Sequence, residues 1–358
     1  MAPKPVPVTP LPARALASVE DLAAAGLAPA EDRAALEQVA ADFRIRLTAE
    51  MQGAIAAPGD PDDPVARQFV PSAAELTIRP EELADPIGDG AHAPVPGLTH
   101  RYPDRVILHA THTCEVYCRF CFRREVVGED GALPEADMAA ALDYIARTPA
   151  IWEVILTGGD PMVLSPRRLR AVLARLAAIP HVEVVRFHTR VPVVAPAKIT
   201  DTLVEALDIR PAVHVVIHTN HAQELTPAAC AALARLARAG VPLLSQTVLL
   251  RGVNDSPQAL EDLFRALVRN RVRPYYLHHC DLARGTGHFR TTIAEGQRIM
   301  AALRGRLSGI CLPTYVLDIP GGHGKVPVGP GYLEPGDSPG SHRVTDWQGN
   351  RHRYDDPS

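Results

Sequence analysis

Between residues 106 and 277, short β-branched runs alternate with helix-patterned segments at a steady interval, and this alternation restricts the fold more than any other feature of the chain. The runs are VILHA (106–110), WEVILT (152–157), VEVVRFHT (182–189), AVHVVIHT (212–219), VPLLSQTVLL (241–250) and VRPYYL (272–277). Between them lie EADMAAALDYIARTP, SPRRLRAVLARLAAI, TDTLVEALD, TPAACAALARLARAG and SPQALEDLFRALVRN. Near-continuous apolar strands joined by helices predict an α/β fold with a parallel sheet and crossover helices. Six such units fit a partial (β/α)6 barrel or a doubly wound sheet. Polar groups follow so many of the strands that a barrel's loop-bearing mouth is the better account.

The flanks differ. Residues 17 to 55 carry apolar positions at helical spacing, in SVEDLAAAGL and DRAALEQVAADFRIRLTAEM, and predict an N-terminal helical region. A Pro/Gly/Asp-rich stretch from Pro58 to about Thr99 reads as a connector, with one short helical candidate at PSAAELTI. Past Arg306 the rhythm ends in a glycine- and proline-rich segment that predicts strands and loops, and the tail from Asp337 is polar. The expected division is 1–95, helical region and connector; 96–310, barrel; 311–358, C-terminal extension.

At 358 residues, 46% hydrophobic and 22% charged, the chain has the composition of a globular protein with a full-sized core. A formal charge of -4 gives no electrostatic support for nucleic acid or an anionic membrane as partner. The first residues are broken by prolines and do not resemble a signal peptide, and no apolar run approaches bilayer-spanning length. A cytoplasmic location is expected, where clustered cysteines point to metal rather than disulfides.

Three of the six cysteines fall in HTCEVYCRFC, as C-x3-C-x2-C: Cys114, Cys118 and Cys121. A structural zinc site takes four ligands, which His109 or His112 would have to complete. An iron–sulfur cubane held by three thiolates leaves one iron open to an outside ligand. Cys230, Cys280 and Cys311 are scattered and read as buried thiols. After WEVILT comes Gly158-Gly159-Asp160-Pro161, by itself an ordinary turn. Pro320 to Pro327 surrounds Lys325 with glycines but lacks the Walker spacing. Such a lysine is either a surface residue in a turn or an amine placed for a planar aldehyde such as pyridoxal phosphate (PLP).

The cysteine spacing resembles the cluster motif of radical S-adenosylmethionine (SAM) enzymes. Together with it, THRYPDRVI, CFRRE, TGGDP, QTVLLRGVND, RPYYLHHCDLARGTGHFRT and YVLDIPGGHGK resemble the lysine 2,3-aminomutase family from roughly residue 20 to residue 335. That resemblance implies a radical SAM barrel with a C-terminal extension carrying a PLP lysine. It implies a [4Fe-4S] cluster on Cys114, Cys118 and Cys121, with SAM on the open iron. Phe120 is then near the adenine, Gly158, Gly159 and Asp160 near the SAM amino group, and Gln246 near SAM. Lys325 carries PLP, Arg101 and Arg105 approach its phosphate, and Tyr102 lies beside them. Arg123 takes the substrate carboxylate, and Asp281 and Asp318 take the distal ammonium. Two anions select a cation and reject glutamate. Arginine and ornithine, which also end in a cation, differ from lysine in the pocket length they need.

The reaction so implied is an isomerisation of L-α-lysine to L-β-lysine by a 5'-deoxyadenosyl radical and a PLP aldimine, with a flavodoxin or ferredoxin as reductant. A homo-oligomer is also implied. Longer members of the family bind a structural zinc, but Ser256 and the lack of a cysteine after Cys311 predict none here. A dimer is thus as consistent as a tetramer. Phe122 and the short build resemble the branch that makes β-lysine for elongation factor P.

Overall fold

The computed structural model describes residues 14–128 and 131–357. Its frame is an open, curled sheet of nine strands in strict chain order. These are β1 (Leu98–Tyr102), β2 (Arg105–Thr111), β3 (Glu153–Gly158), β4 (Val184–Thr189), β5 (Ala212–His218), β6 (Leu243–Leu249), β7 (Val272–His279), β8 (Thr314–Asp318) and β9 (Lys325–Pro327). Strands β2 to β8 run parallel, while β1 and β9 are antiparallel edges. A doubly wound sheet reverses its strand order at a switch point. This sheet never does, so the partial barrel is the architecture.

All six sequence-predicted runs are strands of that sheet. The parallel strand β8 and the edge β9 were not expected individually, because TYVLD and KVP lie in a glycine-rich segment too short to show a period. Helices Glu135–Ala146, Pro166–Ala177, Asp201–Ala206, Pro227–Arg238, Pro257–Arg269 and Ile293–Leu303 form the crossovers. Three of them start in one way: Ser165, Thr226 or Ser256 caps a backbone N–H, and proline occupies the first turn. The hydroxyl satisfies an orphan donor and the proline needs none there, each such cap contributing about 1 kcal/mol. In Pro257–Arg269, Leu260, Leu263, Phe264 and Leu267 form one fully buried stripe. Burial of each contributes roughly 1.5–3 kcal/mol before entropy is counted.

The N-terminal region is helical, as Val19–Ala24, Arg33–Asp42 and Ala49–Ala54, but its longer predicted helix breaks at residues 43–48. There Phe43, Ile45 and Leu47 are buried alternately and Leu47 bridges Leu16, a strand-like period that overrides helix propensity. Past β9 a separate antiparallel sheet follows: β10 (Leu333–Pro335), β11 (Ser341–Thr345) and β12 (Arg351–Asp355). No described helix is long and apolar enough to cross a membrane.

Candidate active site

The strand ends surround a cavity of about 670 Å3 whose wall includes Arg101, Tyr102, Arg105, Arg123, Gln246, Asp281, Asp318 and Lys325. Residues far apart in the chain and singled out by motif thus share one chamber. The cysteine loop leaves the end of β2 and returns to this wall at Phe122 and Arg123.

That loop is fastened by buried charge. Glu75 from the connector accepts from Arg119 Nη2 at 2.7 Å and from Arg124, and all three side chains are almost wholly inaccessible. Burial opposes the Glu75 charge, but the two guanidiniums hold its carboxyl below the ordinary range. Burial also pushes the thiols of Cys114, Cys118 and Cys121 up, Cys121 to about 11, and Cys114 and Cys121 feel the charge of their neighbours in the trio as well. Three thiolates so close are unfavourable by themselves and suit a site that a positive iron centre compensates.

Among the described residues no group of three His, Cys, Asp or Glu side chains is arranged to hold a metal ion. His109 is engaged elsewhere, with Nε2 2.9 Å from Thr99 Oγ1, and burial followed by the Arg123 charge pushes its imidazole down to about 3.

The Gly-Gly-Asp turn after β3 packs directly beneath the cysteine loop. Gly158 has φ +111°, and a Cβ there would lie 2.8 Å from Thr111 O; a Cβ on Gly159 would collide with Thr113 O. The N–H groups of Gly159 and Asp160 donate to Thr111 O and Thr113 O at 2.6 and 2.9 Å. Only glycine permits this approach of two backbones. The Asp160 carboxylate turns toward β4, accepting from Thr189 Oγ1 and the Arg190 N–H, both at 2.6 Å, and from the Met162 N–H at 3.0 Å. Phe120 meets Phe289 edge-on, with centroids 6.2 Å apart.

At the opposite wall, β8 and β9 pair Asp318 with Lys325. Lys325 Nζ is 2.6 Å from both Asp318 oxygens, and His278 Nδ1 is 3.2 Å from one of them. Burial opposes the Asp318 charge, but His278 and Lys325 outweigh it and hold the carboxyl well below the usual range. Asp281 is the converse: burial, then the charge of Asp318, pushes it up to about 7. Among the described residues no group hydrogen-bonds the Asp281 carboxylate, which faces the cavity.

The glycine loop before Lys325 is held by the connector. Gly321, Gly322 and Gly324 all have positive φ, and a Cβ on Gly88 would lie 2.7 Å from the backbone of Gly321 and Gly322. His92 Nε2 is 3.0 Å from Gly322 O, and the Tyr102 hydroxyl accepts from the Lys325 N–H at 2.8 Å. Arg105 lies over the Tyr102 ring, 3.8 Å from its centroid. His323 points to solvent.

Two residues of the site escaped the sequence reading. Asp89 stands between Arg123, at 2.8 Å, and Arg101, at 3.3 Å. Burial opposes its charge, but Arg123 in particular holds the carboxyl down. Arg190, after β4, donates from Nη1 to Cys118 Sγ at 3.1 Å. Asp89 sits in a stretch with no period and Arg190 between a strand and a short helix, so only the folded contacts reveal either.

An open barrel with a three-thiol loop after its first parallel strand defines a radical SAM enzyme, and the family model described as the radical SAM superfamily matches residues 108–264. A second model, described as lysine-2,3-aminomutase, matches residues 300–357. L-lysine 2,3-aminomutase of Clostridium subterminale is 48% identical over 277 residues, 77% of this chain and 67% of that one. The L-lysine 2,3-aminomutase of Methanococcus maripaludis is 43% identical over 299 residues, 83% and 68% of the two chains. Glutamate 2,3-aminomutase of Clostridioides difficile is 39% identical over 277 residues, 77% and 65%. This chain thus spans about two thirds of the length of these relatives. The chain belongs to the lysine 2,3-aminomutase family, whose members are isomerases that combine a SAM-binding iron–sulfur cluster with PLP.

Proposed function

We propose that the chain is an L-lysine 2,3-aminomutase, moving the amino group of L-lysine from C2 to C3 to give L-β-lysine. The family also contains a glutamate enzyme, so membership alone leaves the substrate open. The observation that carries the choice is the pair Asp281 and Asp318 on the cavity wall, with the primary ammonium of Lys325 already on Asp318 at 2.6 Å. The pocket accepts an alkylammonium, and a second carboxylate would meet repulsion there.

The other assignments rest on the family resemblance. Cys114, Cys118 and Cys121 would hold the cluster, with Phe120, Gly158, Gly159, Asp160 and Gln246 around SAM. Asp160 would act there through the turn it fixes, since its carboxylate is engaged by β4. Arg101, Tyr102 and Arg105 would hold the PLP phosphate and Lys325 its aldehyde carbon. When bound, SAM supplies a hydrogen-abstracting radical and PLP a π bond to the migrating nitrogen.

The chain's own residues position and select. Nε and Nη2 of Arg123 face Asp89, so the N–H groups of Nη1 and the outer N–H of Nη2 would be left for the substrate carboxylate. Asp318, which holds an alkylammonium at 2.6 Å in this chain, and Asp281 beside it would receive the substrate's distal ammonium.

The test is an anaerobic assay of the reconstituted protein with SAM, PLP and a reductant, offering L-lysine, L-arginine, L-ornithine and L-glutamate separately and resolving α from β isomers. Conversion of lysine alone supports the reading. Preference for arginine or ornithine would keep the charge argument and refute the substrate, and turnover of glutamate would refute both.

A further inference from the structure

Arg190 is the guanidinium that joins the cysteine loop to the barrel, and its geometry leaves it little freedom. Its backbone N–H donates to Asp160 at 2.6 Å. Nη2 lies 2.6 Å from both Glu224 Oε2 and Gln68 Oε1, and Cζ lies 4.8 Å from the Phe69 ring centroid and 5.4 Å from that of Phe120. Glu224 is itself fully buried and fixed by the N–H groups of Asn220 and His221, at 2.8 and 2.9 Å. Nη1 is therefore aimed at Cys118 Sγ, 3.1 Å away, by contacts on the far side of the guanidinium.

We propose that Arg190 is a positioning residue that sets the reduction potential of the iron–sulfur cluster, through a charge-assisted hydrogen bond to the Cys118 sulfur. The inference rests on the cluster assignment made above. Adding one electron to a cluster increases the negative charge shared by its sulfurs. A fixed cationic donor stabilises that reduced state more than the oxidised one, so the potential rises. Burial strengthens the effect, because little water screens it. Glu224, 2.6 Å from Nη2, offsets part of the Arg190 charge and would lower the potential in turn.

The experiment is a dithionite titration of the reconstituted holoenzyme followed by electron paramagnetic resonance, with Arg190→Lys and Glu224→Gln beside the wild type. Iron, sulfide and melting temperature are measured on each. Arg190→Lys loses the fixed donor, so its reduction equilibrium is expected to fall about tenfold, a shift of about 59 mV downward for one electron. Glu224→Gln removes the opposing charge, and its potential is expected to rise. A residue that only held the fold would not shift the potential in opposite directions at full iron and sulfide. Unchanged potentials in both variants with intact clusters would overturn the inference while leaving the proposed function standing. If Arg190→Lys assembles no cluster, Glu224→Gln decides alone, and the lack of an upward shift there overturns the inference. A wild type that assembles no cluster would overturn the cluster assignment and this inference together.

Discussion

Single carboxylates in the chamber do opposite things because their neighbours differ. Asp318 is charged at any working pH, whereas Asp281, pushed up to about 7, changes charge near neutrality. The distal ammonium of lysine remains protonated to about pH 10. Affinity for it is therefore expected to increase as pH rises through about 7 and Asp281 ionises. The KM for lysine should fall across that interval in the wild type and show no such step in Asp281→Asn. That variant loses a charge-assisted contact of about 1.5–3 kcal/mol, so kcat/KM should drop on the order of 10- to 150-fold. The sign for folding is the reverse. The folded chain holds a proton on Asp281 that the unfolded chain releases at the ordinary 3.8, so this group's contribution is full below 3.8 and is lost as pH rises through about 7. Denaturant titrations of the ligand-free protein at pH 5 and 8, with Asp281→Asn as control, would read that difference. At the same scale, Lys325→Ala should fold yet show no Schiff-base absorbance with PLP, because the nearest amine is gone.

Elements bring these residues together through contacts that no local pattern encodes. The strands were legible because buried parallel strands are apolar along their whole length, the cysteine motif because its spacing is itself chemistry, and the glycine motifs only through the family resemblance. Asp89 and Arg190 were not, since Asp89 works by bridging Arg101 and Arg123 and Arg190 by spanning three loops. The connector shows the same limit. Its composition reads as surface chain, yet Gly88 lies against the glycine loop that precedes Lys325. At φ +65° an alanine there bears the left-handed penalty of about 1–2 kcal/mol, and its Cβ would also press on the Gly321–Gly322 backbone at 2.7 Å. Gly88→Ala is expected to weaken PLP binding at least tenfold and to lower the melting temperature. Gly309→Ala, where a Cβ meets nothing within 4 Å and φ is ordinary, should leave both unchanged. Pyridoxal fluorescence titrations and thermal melts of the two variants provide the comparison.

At the scale of the whole molecule, the N-terminal region, the connector and the barrel are fastened at the cysteine loop rather than only through the apolar core. Glu75 in the connector holds Arg119 and Arg124 of that loop, Arg119 also donates to Arg44 O at 2.9 Å, and Arg124 lies over the Phe43 ring, 3.5 Å from its centroid. One carboxylate thus pairs with two buried cations drawn from the segment that carries Cys118 and Cys121, and halves their combined charge. Such a network adds modest net stability when complete, because desolvation offsets most of its attraction, but removing one partner strands the others. Glu75→Gln keeps the shape and deletes the charge, leaving two guanidiniums with almost no solvent. Its expected cost is about 3–5 kcal/mol in denaturant unfolding. Because the stranded charges sit in the loop itself, iron and sulfide content after reconstitution should fall along with stability. A surface pair of the same type, Arg33 with Glu37, tests whether charge removal alone is responsible: Glu37→Gln should change neither quantity, since both side chains are more than half exposed. Loss of stability with full cluster content in Glu75→Gln would show that the network serves the fold and leaves the cysteine loop competent without it.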